Sequence, residues 1–402
     1  MDTQMQTQSQ QIVDFDTTKV HQRRAKDSGF FQVGFDALTQ IKASGGGHNE
    51  IMAYMVLCGG VNGRETLRVS THGAKSVKER TGMGYRAAEH AIEWLHIKGF
   101  IKPVGAAPQQ SLQPRMNQPR WVINDDSPDI AMSRDFLDGY ATKSKPSLFR
   151  LADEVMVSAN CGKSQALIDA IFLFLRLMQE QDFGEWGGVN PIYWHQKYGQ
   201  IEEDDDELPP SVIDVPNTEC SLVTVGQQER ANTNIEFMEE VILNAPSQDE
   251  LRDRFWGAMA TLQRLRLVYR CLTIWDSDPM NKSTGRQATP VATLYVADAW
   301  ARDYELQAQN DVHRAGWRTG AMDGSYDSEF DFDTKTGVAT YVGNDRYRYI
   351  VNDSLLEKVC VYGQLRVRHW PANEENIRGR ERLNRLTTTY VDSLKKIDLF
   401  NP

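Results

Sequence analysis

The chain of 402 residues has little cysteine and no long apolar run, and each shortage excludes something. Its five cysteines, Cys58, Cys161, Cys220, Cys271 and Cys360, lie far apart, with no Cys-x-x-Cys pair and no regular framework. That pattern excludes a disulfide-stapled scaffold and a cysteine-based zinc site, and it fits a reducing compartment. Cys58 and Cys271 sit inside apolar runs and are expected as core thiols. The most apolar stretch, Ala166 to Met178, is too short to span a bilayer and carries Asp169 and Arg176. The first residues are polar and Gln-rich rather than basic and then apolar, so no secretory signal is read. The expectation is a cytoplasmic protein without membrane contact.

Basic charge is also scarce, with 45 Lys and Arg against 55 Asp and Glu and a net charge of −10. That sign opposes nucleic-acid binding until the charge is located. Between Gln200 and Glu250, fourteen acidic residues face one basic residue, Arg230, so this stretch alone carries −13. The rest of the chain is therefore +3, with +4 over residues 1–125 and +5 over residues 346–396. The acidity is one insertion, and total charge does not veto a polyanionic partner.

The apolar fraction of 40% and the length suffice for two or three domains with their own cores. Residues 1–28 read as a disordered polar arm ending in the basic cluster His21-Gln-Arg-Arg-Ala-Lys. From Thr71, an amphipathic segment stops at Gly82, and Gly82-Met83-Gly84 is a tight turn. A longer helix starts at Tyr85, with Ala88, Ile92 and Leu95 forming one buried stripe. Gly99 ends that helix, and Phe100-Ile-Lys-Pro-Val leaves it as a strand. Polar residues cross from Gly105 to Pro119, and Arg120-Trp-Val-Ile returns. With a helix at Asn49–Cys58 and a short strand at Leu67–Ser70, the order over residues 29–125 is that of a winged helix.

A weaker repeat follows over residues 145–300. A shift of 117 residues sets Ile51 on Ile168 and Gly82 on Gly199. Past an insertion at 200–252, a shift of 170 sets Ala88, Ile92 and Leu95 on Ala258, Leu262 and Leu265. This alignment predicts helices at Gln165–Leu177, Asn190–Tyr198 and Trp256–Tyr269, then strands at Arg270–Trp275 and Val291–Val296. Residues 311–402 read as an α/β extension: a hairpin turning at Thr334–Gly337, a strand near Val359–Val367 and a helix over Asn376–Lys396. The expected fold class is α+β and mainly helical, with tandem winged-helix domains and a hairpin-plus-helix extension at the C-terminal end.

The segment Ser76-Val-Lys-Glu-Arg-Thr-Gly-Met-Gly-Tyr-Arg-Ala-Ala-Glu-His-Ala-Ile-Glu-Trp-Leu-His-Ile-Lys-Gly-Phe-Ile-Lys-Pro resembles the core of bacterial winged-helix proteins such as the GntR-type regulators. The likeness covers about fifty residues of the first unit. The tandem arrangement is also similar to that of plasmid and phage replication initiators. The resemblance implies double-stranded DNA as partner, because the major groove admits one helix and a flanking hairpin reaches the adjacent backbone. Tyr85, Arg86 and His90 are then expected toward the groove, and Lys75, Lys78 and Arg80 against phosphate. In the wing, Arg115 is the candidate. The second unit offers Arg252, Arg254, Arg264 and Arg266, with Lys282 and Arg286 at its wing tip.

Other motifs read as ordinary structure. Cys161-Gly-Lys-Ser lacks the glycine a phosphate loop needs five residues earlier, where Val157 stands, so it is expected as a turn and helix start. Asp323, Asp327, Glu329, Asp331 and Asp333 could bind a hard cation, but the last four alternate with Phe330 and Phe332 as one half-exposed strand does, with no glycine placed for a calcium loop. His90 and His96 fall on different helix faces and are not a ligand pair. The expectation is a sequence-preferring regulator of transcription in a bacterium or mobile element, with no cofactor, metal or catalysis, acting as one chain or a homodimer. The alternatives are a replication initiator, a protein-interaction scaffold docking partners through the acidic insertion, and a magnesium-dependent nuclease using the Asp327–Asp333 carboxylates.

Overall fold

The computed structural model describes residues 29–61, 68–104, 120–125, 128–139, 145–157, 161–198, 211–214, 220–224, 232–277, 279–280, 288–296, 330–333, 338–341, 348–350, 360–370 and 374–396. About half of these are helical, in ten helices, and the strands form small sheets of two to four members. The described part is thus a mixed α and β structure. Among its residues, no helix is long and apolar enough to cross a membrane.

Strand β1 (Phe30–Val33) is followed by helices α1 (Phe35–Ala43) and α2 (His48–Gly59). Every residue from Ile51 to Gly59 is buried, which makes α2 the axis of this half. Around it come β2 (Val69–Ser70), α3 (Ala74–Thr81), α4 (Tyr85–Ile97), β3 (Ile101–Pro103) and β4 (Trp121–Ile123). The returning strand β4 lies between β2 and β3, antiparallel to both. Outside this unit, β5 (Ile130–Ser133) pairs back onto β1, and Asp125 fixes the crossing by accepting hydrogen bonds from the Gly34 amide at 3.0 Å and from Arg68 at 2.7 Å. The short helices α5 (Asp135–Asp138) and α6 (Ser147–Glu154) then pack toward α3.

The second half is built on α7 (Lys163–Gln179), with twelve buried residues. The small hairpin of β6 (Gln181–Asp182) and β7 (Gly188–Val189) leads to β8 (Gln196–Tyr198). The helix expected at Asn190–Tyr198 is not formed. The Asn190 side chain accepts from the Ile192 amide at 3.0 Å, and His195 Nδ1 lies 2.9 Å from the Pro191 carbonyl. These local bonds hold a turn, and Gln196–Tyr198 pairs as a strand instead.

Strands β9 (Ser211–Asp214) and β10 (Cys220–Thr224) precede α8 (Ile235–Val241), which lies within the stretch read as acidic insertion. Phe237, Met238 and Val241 are buried there, while Glu236, Glu239 and Glu240 are not, so a real helical period is masked by its acidic face. Helix α9 spans Gln248–Arg264, eight residues earlier than expected at its start, with Ser247 accepting from the Glu250 amide as cap. It stops before the β-prone run Val268-Tyr-Arg-Cys-Leu-Thr-Ile-Trp, which forms β11 (Val268–Trp275).

Strand β11 pairs antiparallel with β12 (Pro290–Val296) on one side. After the hairpin strands β13 (Phe330–Asp333) and β14 (Val338–Tyr341), and β15 (Arg348–Ile350) beside β10, the chain returns as β16 (Cys360–Val367). That strand inserts between β11 and β8, in register from Val268 opposite Val367 to Trp275 opposite Cys360. The outgoing strand β11 is therefore internal here, whereas in the first unit the returning strand is. Helix α10 (Glu374–Lys396) packs along β12. Cys58 and Cys271 are buried thiols, as expected, and burial pushes the Cys58 thiol up to about 12.

The two halves meet at the turn after β16. The His369 carbonyl accepts from the Ser133 amide at 3.0 Å, and its Nε2 lies 2.9 Å from Ser147 Oγ. Its ring meets Phe136 edge-on at 5.7 Å.

Candidate nucleic-acid interface

Helix α3 is held by Val77 and Thr81, both buried. Thr81 Oγ1 donates to the Val77 carbonyl at 2.7 Å and accepts from the Met83 amide at 3.3 Å. Gly82 then reverses the chain at φ 76°, and its amide donates to the Lys78 carbonyl at 2.9 Å. Glycine is required here twice over: the left-handed conformation strains a side chain, and a β-carbon would stand 2.7 Å from the Phe149 ring on α6.

Gly84, extended at φ −62°, caps α4. Ala88, Ala91, Ile92 and Leu95 seat the helix on the core, as their spacing predicts. Its orientation is further fixed by Trp94, which stacks on Phe100 at 6.1 Å. With that face anchored, Tyr85, Arg86, Glu89, His90 and Glu93 are all exposed on the other. Tyr85 is 48% exposed, high for a large aromatic side chain. Helix, glycine turn and second helix thus present the three residues expected to face a groove on one surface.

The basic residues expected to hold phosphate divide. Lys75 is 84% exposed, with a loose 3.9 Å contact to Glu79, and Lys78 is exposed. Arg80 is different: its guanidinium lies 2.6 Å from Asp138 in α5, and Nε donates to the same carboxylate at 2.8 Å. That pairing ties α3 to α5 and leaves Arg80 a structural cation. His90 Nδ1 stands 3.9 Å from Glu93.

Lys102 and Arg120, which the sequence analysis does not single out, are exposed at the base of the β3–β4 hairpin. A signal for them exists, because alternation along β3 turns Ile101 inward and Lys102 outward. Arg115 in the hairpin tip lies outside the described residues, as do Lys282 and Arg286.

On the second unit the expected basic set is dispersed. Arg254 is buried, donating through two nitrogens to Asp169 of α7 at 2.8 and 2.9 Å and to the Leu243 carbonyl at 3.1 Å. Arg264 is exposed but donates to the Glu154 carbonyl at the end of α6. Arg252 and Arg266 are exposed. At Cys161–Ser164, Gly162 caps α7 and Lys163 donates to the Asp153 carbonyl at 3.3 Å, the turn and helix start expected. Asp323, Asp327 and Glu329 fall outside the described residues, and Asp331 and Asp333 belong to β13. Among the described residues, no group of three or more His, Cys, Asp or Glu is placed to hold a metal ion.

No family model, curated protein or solved structure matches the chain.

Proposed function

We propose that this protein binds double-stranded DNA with sequence preference and serves as a transcription regulator, without catalysis. One observation carries the reading: α4 is clamped to the core on one face and presents Tyr85, Arg86 and His90 on the other, directly after a glycine turn. A helix so mounted fits the major groove with its first turns deepest. Arg86 is then the residue for a guanine edge, and Tyr85 and His90 contact bases or phosphate. Lys75 and Lys78 lie against one backbone, and Lys102 and Arg120 carry the hairpin toward the other.

Under this reading the second half is a winged helix modified by the insertion of β16, and it contributes Arg252 and Arg266 rather than Arg254. Glu89 and Glu93 share the exposed face of α4 and would repel phosphate. They favour a helix that touches bases at its start and leaves the groove toward its end. They equally suit the scaffold alternative, in which α4 docks a protein. A replication initiator would use the same surface on sites repeated at an origin.

Selection from a random duplex library, followed by binding of the winner at several salt concentrations, tests the proposal. The expected result is an enriched motif whose affinity falls steeply as salt rises, as counterion release requires. No enrichment and no salt-dependent binding would overturn it in favour of a protein-docking role.

A further inference from the structure

Helix α10 carries four arginines within eight residues, and the fold sorts them onto two faces. Gly379 lies so close to the hairpin that a β-carbon would meet the Gly184 amide nitrogen at 2.5 Å. Arg380 turns inward, 7% exposed, with its guanidinium 5.1 Å from the Phe183 ring centre and 4.9 Å from that of Trp370. Leu383 is buried one turn on, and Thr387 Oγ1 accepts from the Thr293 amide of β12 at 3.1 Å. These four contacts fix the rotation of the helix about its axis.

With that rotation fixed, Arg378, Arg382 and Arg385 stand exposed at i, i+4 and i+7, a ridge about 10 Å long at 1.5 Å per residue. Neither Arg382 nor Arg385 forms an ion pair with a described residue. Glu381, four residues before Arg385 and well placed to pair with it on a merely solvated face, is exposed and forms none either. The segment from 346 to 396 carries +5 in a chain of −10, and this ridge concentrates it. Guanidinium is the side-chain group that matches phosphate geometry through paired donors, and a row of three suits a regular polyanion.

The ridge is mechanically joined to the proposed reading helix. Trp370 beneath Arg380 adjoins His369, which meets Ser147 at the start of α6, and Phe149 of the same helix lies against Gly82 before α4. We propose that Arg382 and Arg385, with Arg378, hold the phosphate backbone of the same duplex that α4 reads. This rests on the DNA-binding reading above and adds to it a sequence-independent anchor on the C-terminal helix.

The test uses the full chain, the enriched duplex, an unrelated duplex of equal length and a salt series. Arg382→Gln with Arg385→Gln is expected to lower the slope of log affinity against log salt by about 2, near 1 for each cation removed. Both duplexes should weaken by the same factor, with the preferred sequence and the melting temperature unchanged. A slope equal to that of the wild type overturns the anchor while leaving α4 as reader. If the double variant loses slope but Arg86→Ala keeps its sequence preference, the anchor stands and the reading of α4 falls. No salt-dependent duplex binding by the wild type removes both.

Discussion

Arg254 and Asp169, 85 residues apart, close on each other through two hydrogen bonds of 2.8 and 2.9 Å, with 4% and 1% of their side chains exposed. The pair welds α9 to α7 at the centre of the second unit. The Gln165 side-chain amide donates to the carboxylate at 2.7 Å, and the Leu243 carbonyl accepts a hydrogen bond from the guanidinium at 3.1 Å. Removing one partner leaves an uncompensated buried charge, which costs about 3–5 kcal/mol. Arg254→Ala is therefore expected to lower unfolding free energy by that amount in a urea titration. Arg254→Met combined with Asp169→Leu should recover most of the loss, because a matched apolar pair has no charge to desolvate. If the single variant costs under about 1 kcal/mol, the pair does not organise this unit.

This pair also shows why part of the fold is hidden in the sequence. The stripe Ala88, Ile92 and Leu95 is local and periodic, so α4 and its exposed face are legible in the residue order alone. For α9, a start placed at Trp256 rather than Gln248 detaches Arg254 from its helix and makes it look like a surface cation. Helix α8 is obscured because its outward face is mostly glutamate, so charge dominates the segment and hides Phe237, Met238 and Val241. The insertion of β16 beside β11 joins Val268 to Val367, and no local pattern announces a pairing that distant. The bond between Arg80 and Asp138 escapes for the same reason, the two being 58 residues apart.

Gly82 and Gly84 flank one turn yet should respond oppositely to a methyl group. At Gly82 the left-handed backbone alone costs alanine about 1–2 kcal/mol. The Phe149 ring at 2.7 Å adds a clash that only movement of α6 relieves. At Gly84 the backbone is ordinary for any residue and nothing lies within 4 Å of the added carbon. Gly84→Ala should then stay within about 0.5 kcal/mol, a weaker cap being offset by a stiffer unfolded chain. Thermal melts of the two variants check this, and equal losses would mean that neither the left-handed turn at Gly82 nor the Phe149 contact is present in solution.

Burial of His369 among Phe136, Ser147 and the β16 turn pushes its imidazole down to about 3, with Arg368 acting in the same direction. A folded value below the ordinary 6.5 means that the unfolded chain takes up the proton first. The stabilisation is thus complete above about pH 6.5 and drains away as pH falls toward 3, on the order of 5 kcal/mol in all. Asp135 works the other way, since desolvation raises its carboxyl and its contribution weakens as pH rises. Comparing His369→Asn with the wild type cancels that background, and asparagine tolerates the φ of 67°. The variant should lose less stability than the wild type between pH 6.5 and 4 in urea titrations. Parallel curves would show that the ring is reached by water.

Lys78 and Arg80, two residues apart on α3, should separate binding from folding. Lys78 is exposed, so in a DNA-binding protein Lys78→Ala should lower the salt slope by about 1 for every duplex, with the melting temperature unmoved. Arg80 spends its charge on Asp138, a pair with side chains 19% and 45% exposed. Exposed and half-exposed pairs contribute about 0.2–1 kcal/mol, and a cycle through Arg80→Ala and Asp138→Ala should return a coupling in that range. Because the guanidinium is already occupied, Arg80→Ala should leave the salt slope where it was. A slope lowered by Arg80→Ala at unchanged stability would mean that the Arg80–Asp138 bridge opens on DNA, and α3 would then present all three of its cations to phosphate.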